Sequence, residues 1–283
     1  MIKAIFSKLC ANCGGDISVE RLEKGLPCEK CMPKEGDPCK SLKEGTLWEV
    51  CQVEKELLEW VEEFRRGVSA EPWDLQRTWA KRVLMGHSFG LLAPTGVGKT
   101  SFGLSMVSFL AKKNKRSYVI LPTKLLVEQT VRKLKNFGLD ERHILYFGDD
   151  TEKEKREKKK RLEEGDFLVL VSTSMFLYKN YESIPKDFAF IFVDDVDSFL
   201  KTAKNIDKAL YLLNFSPEDI ELALRLIRLK EKPNKSQEDW EEIKKLSEQV
   251  ARVSQKRKGV LVVSSATSNP RSSRIKLFRE LLG

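Results

Sequence analysis

The sequence predicts an α/β fold: a mostly parallel sheet covered by helices, preceded by a small four-cysteine module and carrying a helical insertion. Three observations predict it. Near-continuous apolar runs of strand length (Ser117–Leu121, His143–Phe147, Phe167–Val171, Phe188–Val193 and Val260–Ser264) alternate with helical periodicity, as in strands buried on both faces. A glycine-containing loop ending Gly98-Lys99-Thr100 joins a short apolar strand to an apolar helix. Four of the cysteines form two Cys-x-x-Cys pairs near the N-terminus.

The chain has 283 residues, with 51 Lys+Arg against 42 Asp+Glu and a net charge of +9. At 41% hydrophobic and 33% charged it falls outside the disordered class. The length allows roughly one or two domains. No apolar run approaches the ~20 residues of a membrane span, and Met1–Lys8 lacks the pattern of a signal peptide. These features predict a soluble, cytoplasmic chain without a membrane partner, and the basic excess points to a polyanion.

All six cysteines lie within the first 51 residues. Cys10-Ala-Asn-Cys13 and Cys28-Glu-Lys-Cys31 each turn two thiolates toward one ion, so residues 1–40 are expected to form a structural Zn2+ ribbon that folds only with its metal. The competing reading is a disulfide framework. Cys39 and Cys51 are read as free, half-buried small hydrophobes, or one of them as a replacement ligand. Residues 41–70 predict a connecting helix, with Trp48, Cys51, Leu57, Leu58, Val61 and Phe64 forming a stripe that packs on the next domain.

Residues 71–283 form the expected main domain. In Ala93-Pro94-Thr95-Gly96-Val97-Gly98-Lys99-Thr100 the glycines let backbone N–H groups face phosphate oxygens, and the following helix adds its positive end. Lys99 is expected on the β- and γ-phosphates of ATP and the Thr100 hydroxyl on Mg2+. After Val193 comes Asp194-Asp195-Val196-Asp197. Asp194 is assigned to Mg2+, Asp195 to the general base and Asp197 to coupling; an acidic helix cap is the plainer alternative.

With these motifs, the domain resembles the first RecA-like domain of superfamily 2 helicases of the DEAD-box-related kind, although Ala93 replaces the usual first glycine of the loop. Leu121-Pro-Thr-Lys-Leu-Leu-Val-Glu-Gln129 and Ser172-Thr173-Ser174 resemble its nucleic-acid-contacting motifs, which makes Thr123, Lys124, Ser172 and Thr173 candidate DNA contacts. Ser265-Ala266-Thr267 resembles the motif that couples hydrolysis to domain closure. Pro72–Gln76 resembles the adenine-reading motif, with Gln76 offering a donor and an acceptor.

The whole chain also resembles the narrower reverse gyrase family: a four-cysteine ribbon, Gln76-Arg-Thr-Trp-Ala-Lys-Arg82, Asp-Asp-Val-Asp at 194–197, Ser264–Thr267, and Arg271 onward to Leu282. That resemblance implies part of an ATP-dependent type I topoisomerase introducing positive supercoils into DNA, with ATP, Mg2+ and Zn2+ as cofactors. It implies DNA, a second RecA-like domain and a topoisomerase module as partners of a monomeric enzyme. The chain is accordingly read as a fragment with half an ATP site, weakly active or inactive alone. None of its five tyrosines is assigned as the topoisomerase nucleophile. The alternatives are a DEAD-box-like RNA/DNA remodelling ATPase with a zinc ribbon, or a non-enzymatic zinc and nucleic-acid-binding module.

Charge is uneven. Residues 151–164 hold seven positive and five negative side chains, the composition of a solvated helix. Residues 201–258 predict an insertion of two to three helices, broken at Lys232-Pro233-Asn234. Residues 255–283, with seven basic residues and one glutamate, are expected to offer a further DNA contact.

Overall fold

The computed structural model describes residues 4–196, 199, 204–265 and 273–283. The chain divides into two compact units, one up to Glu59 and one from Trp60 onward, so the division falls inside the long helix Thr46–Val68.

The first unit holds an antiparallel pair, β1 (Ile5–Phe6) and β2 (Ile17–Ser18), then α1 (Val19–Glu23), α2 (Pro38–Ser41) and the start of α3 (Thr46–Val68). One apolar cluster joins Cys10, Ile17 and Cys28 with Cys31 against them, and Met32, Leu42 and Cys51 are also buried, a small core for a unit of this size. Cys39 and Cys51 are neither free nor metal ligands: they are joined in a disulfide. Asp37 caps α2, and the Cys39 Cα lies 5.3 Å from that of Cys51 on α3, a proximity that sequence spacing does not encode. The expected α3 stripe is also corrected. Leu58 is 66% exposed, whereas Trp60, outside the predicted stripe, is fully buried beside Val61 and Phe64.

The second unit comprises α4 (Asp74–Leu84), β3 (Phe89–Leu92), α5 (Lys99–Lys112), β4 (Ser117–Leu121), α6 (Lys124–Asn136), β5 (Ile144–Tyr146), α7 (Glu152–Glu164), β6 (Val169–Thr173), α8 (Ser174–Asn180) and β7 (Phe190–Asp194). It continues with α9 (Lys204–Leu212), α10 (Pro217–Glu231), α11 (Gln237–Ser254), β8 (Val260–Ser265) and α12 (Ser273–Leu282). Six strands pair in the order β3-β8-β7-β4-β6-β5, all parallel. Every residue of β4 is buried, which explains its unbroken apolar run. β6 starts two residues later than its apolar run: the ladder with β4 opens at Val169, while the Phe167 carbonyl accepts from Arg116 Nε at 3.2 Å.

Residues 204–254 do form three helices. Ser216 and Ser236 open α10 and α11 with capping boxes closed by Asp219 and Asp239. These helices are not an appendage. Ile206, Leu210, Ile220, Leu226, Ile243, Leu246 and Val250 lie in one buried cluster with Tyr118, Ile120, Leu170, Ile191 and Leu261 of the strands. The solvated helix at 152–164 buries only Leu162. Lys256, Arg257 and Lys258 precede β8, so parallel order puts them at the edge of the sheet opposite the strand ends. Arg257 is spent on the Gly86 carbonyl, the Ser88 hydroxyl and the Leu282 carbonyl, and Lys276 pairs with Glu231. Arg271 lies outside the described residues.

Candidate functional site

The carboxyl ends of β3, β8 and β7 are neighbours, and the candidate site forms where they stop. β3 runs into the loop 93–98, whose Gly96 and Gly98 have φ of +87° and +81°, the left-handed region open to glycine. Gly98 is the N-cap of α5, so the free N–H groups of that helix face the loop. Lys99 Nζ donates to the carbonyls of Ala93 and, at 2.8 Å, Pro94, so its ammonium is held over the loop.

Asp194 ends β7 opposite Ser264 of β8 in the ladder. Its Oδ2 accepts from Thr100 Oγ1 at 2.7 Å, and its Oδ1 from Ser264 Oγ at 2.7 Å. Strand, helix and loop thus place a carboxylate and a hydroxyl together as oxygen donors suited to Mg2+. Asp195 follows, exposed and at φ +71°, an uncommon conformation for a non-glycine residue and one that clusters at functional sites. A cleft of about 730 Å³ is lined by Thr95, Gly96, Gly98, Lys99 and Thr100 on one side and by Asp194, Asp195, Ser264 and Ser265 on the other. Ser264 stands in the motif 264–267 by resemblance, but sequence assigns it no role; its hydrogen bond to Asp194 follows from the ladder between β7 and β8. Asp197, Ala266 and Thr267 lie outside the described residues.

Gln76 is 5% exposed. Its Nε2 donates to the Gly98 carbonyl at 3.3 Å and the Val97 carbonyl at 3.4 Å, while its Oε1 accepts the Trp73 N–H at 2.9 Å. In this structure the amide fastens α4 to the phosphate loop. Thr123 and Thr173 cap α6 and α8, accepting from the N–H of Leu126 and Phe176. The ladder pairs Leu121 with Thr173, so both caps sit at the same sheet edge. Lys124 is exposed there and pairs with Asp149 at 2.7 Å. Ser172 is corrected: it is fully buried, its hydroxyl bonded to Tyr118 Oη at 2.7 Å, so it supports the strand and presents nothing to a ligand.

The four sulfur atoms of Cys10, Cys13, Cys28 and Cys31 all lie within 4.8 Å of one another, with Cys13 and Cys28 Sγ 3.7 Å apart. Tetrahedral Zn–S bonds of ~2.3 Å require sulfurs about 3.8 Å apart, so the set fits zinc. Burial raises the Cys10 thiol, but the N–H groups of Cys28, Cys13 and Asn12 outweigh it and bring the thiol down to about 6. Burial pushes Cys31 up to about 12, against a hydrogen bond from Asn12.

This chain belongs to the DEAD/DEAH box helicase family, which matches residues 73–224. Residues 1–49 match the reverse gyrase zinc finger. Along its full length the chain is 63% identical to Reverse gyrase 1 of Aquifex aeolicus and 42% identical to the reverse gyrase of Thermococcus kodakarensis, covering 25% and 18% of those proteins. It therefore spans about a quarter or less of these reverse gyrases and corresponds to their helicase-like portion with its zinc finger. Among solved structures, a DEAD box protein from the hyperthermophile Methanococcus jannaschii shares the fold, with a TM-score of 0.51 at 17% identity over 78% of this chain and 50% of that one. Among the described residues, no helix is long and apolar enough to cross a membrane.

Proposed function

We propose that this chain is the ATP-binding and DNA-contacting portion of an enzyme that introduces positive supercoils into DNA, the activity its resemblance to the reverse gyrase family implies. The observation that carries the reading is Asp194, held between Thr100 of the phosphate loop and Ser264 of β8. The loop 93–98 and the N-terminus of α5 receive the phosphates, Lys99 takes the β/γ oxygens, and Thr100 with Asp194 provides the Mg2+ ligands. Mg2+, when bound, neutralises charge developing on the phosphates. Asp195 at the lip of the cleft accepts the proton of the attacking water, and Gln76 holds the loop while reading adenine. Thr123, Lys124 and Thr173 form the DNA-facing edge.

Among the described residues lining the cleft, Lys99 is the one cation. Stabilising charge on a transferring phosphoryl group calls for a further arginine, which a second RecA-like domain would supply. The chain should therefore bind ATP with Mg2+ yet turn it over slowly, with or without DNA. Equilibrium binding of a fluorescent ATP analogue, set beside steady-state phosphate release, tests this. Equal affinity in Lys99→Ala, or fast DNA-stimulated turnover by this chain, would overturn it.

A further inference from the structure

Asn12 lies between two cysteines of the metal cluster, yet most of its hydrogen bonds serve a helix. It is 6% exposed, in the turn between Cys10 and Cys13. Its Oδ1 accepts the N–H groups of Leu47 at 3.2 Å and Trp48 at 3.3 Å, both in the first turn of α3. Its Nδ2 donates to the Glu44 carbonyl at 3.0 Å, and its own carbonyl accepts the Thr46 N–H at 3.0 Å. The residue before the helix is Gly45, whose carbonyl accepts the Glu49 N–H at 3.0 Å, as an N-cap carbonyl does. Gly45 has no side chain with which to cap, and a Cβ there would stand 2.6 Å from the Asn12 amide. The capping side chain of α3 has been replaced by one delivered from 33 residues earlier, out of the metal knuckle.

We propose that Asn12 couples occupancy of the four-cysteine site to the start of α3: the bound metal fixes the knuckle that caps the helix, and the capped helix slows release of the metal. Such coupling is reciprocal in binding free energy. Loss of an N-cap typically costs about five-fold in the local equilibrium, which sets the effect in each direction. The Cys39–Cys51 disulfide holds the same stretch by a second route, since Cys51 lies in the second turn of α3. With the disulfide closed, metal removal should loosen the first turn of α3 and leave the helix beyond Cys51 in place.

The test uses the whole chain with its disulfide intact. Zinc release to a colorimetric chelator and hydrogen exchange of the Leu47 and Trp48 amides are followed in wild type, Asn12→Ala and Asn12→Asp. In Asn12→Ala both zinc release and exchange should quicken about five-fold, with exchange from Trp60 onward unchanged. Asn12→Asp keeps the oxygen acceptor for Leu47 and Trp48 but loses the donor to the Glu44 carbonyl, so its exchange should fall between that of Asn12→Ala and wild type. If Asn12→Ala leaves both readouts unchanged, or moves only one of them, the coupling is refuted, as it is if Asn12→Asp exchanges no more slowly than Asn12→Ala. Should Asn12→Ala not load zinc, the wild-type chain with and without metal decides: protection of Leu47 and Trp48 that survives zinc removal overturns the proposal, and its loss supports it.

Discussion

Gln76 donates from Nε2 to the Gly98 carbonyl at 3.3 Å, and a Cβ on Gly98 would stand 2.3 Å from that same nitrogen. The buried amide and the side-chain-free N-cap of α5 therefore require each other. Gln76→Glu would set a carboxylate against two carbonyl oxygens and lose the donor. An affinity loss for ATP of about ten-fold is expected, equivalent to about 1.4 kcal/mol. Titration with a fluorescent nucleotide checks it, and wild-type affinity would remove Gln76 from the loop's support. Gly98→Ala, which adds strain at positive φ to the clash, should cost more.

Asp194 gathers two hydroxyl donors, so changing it alters both sides of the cleft. In Asp194→Asn the amide nitrogen must face one hydroxyl and the negative charge is gone. ATP affinity should then no longer rise when Mg2+ is added. Parallel titrations with Mg2+ and with EDTA measure this; an undiminished Mg2+ effect would move the metal elsewhere.

Lys124 and Asp149 are 57% and 75% exposed, so their ion pair contributes little to stability. It matters for a polyanion, because Asp149 competes for the cation. Lys124→Ala should weaken DNA binding and lower the slope of log affinity against log salt by about one. Asp149→Asn should strengthen binding, with the melting temperature unchanged in both. Matching shifts in the same direction would contradict competition.

The metal cluster should show a pH dependence of known sign. Cys31, held up at about 12 by burial in the metal-free chain, is protonated at neutral pH and must lose that proton to become a ligand. Cys10, brought down to about 6, is already largely ionised at neutral pH. Zinc affinity should therefore climb by at least about one logarithmic unit per pH unit near neutrality and fall on acidification. Calorimetry in two buffers of different ionisation enthalpy counts the released protons, and metal analysis should find about one zinc per chain. Pickup of zinc without proton release would exclude this ligand set.

Glu63 is 4% exposed and accepts from Ser108 at 2.6 Å and from Lys112 at 2.7 Å. With Trp60, whose indole donates to Ser105 at 3.1 Å, it fastens α3 to α5. Glu63→Ala strips the buried partner from Lys112 and Arg66, both partly in solvent, and should cost about 2 kcal/mol, read as a lower melting temperature. Adding Lys112→Met should recover part of the loss.

The sheet and the phosphate loop were legible because strongly apolar runs and a loop of fixed chemistry are local signals. Ser117–Leu121 became β4 without adjustment, and Thr100 and Asp194 meet although 94 residues apart. What sequence did not disclose depends on chain crossings. Nothing along the chain says that Cys39 reaches Cys51, that Asn12 reaches α3, or that Ser172 turns inward to Tyr118. At 256–258 a related reason applies: charge density is readable along the chain, but which edge of the sheet receives it follows from strand direction. Leu58 and Trp60 show the same limit within one helix, where several apolar residues compete for a narrow buried face.

The sheet order has a bearing on how the molecule comes apart. β3, which carries the phosphate loop, is an end strand with β8 as its one paired neighbour among the described strands, and its Leu92 is 63% exposed. At its base the Ser88 hydroxyl accepts the Leu261 N–H at 2.9 Å, and Arg82 covers the Phe89 ring at 4.6 Å. At its far end the ladder with β8 runs to Leu92, a 3.4 Å bond joins the Ala93 N–H to the Ser265 carbonyl, and Lys99 reaches the Ala93 and Pro94 carbonyls from α5. On heating, this strand should peel before the all-buried centre of the sheet melts, so nucleotide binding would vanish some degrees below the loss of secondary structure.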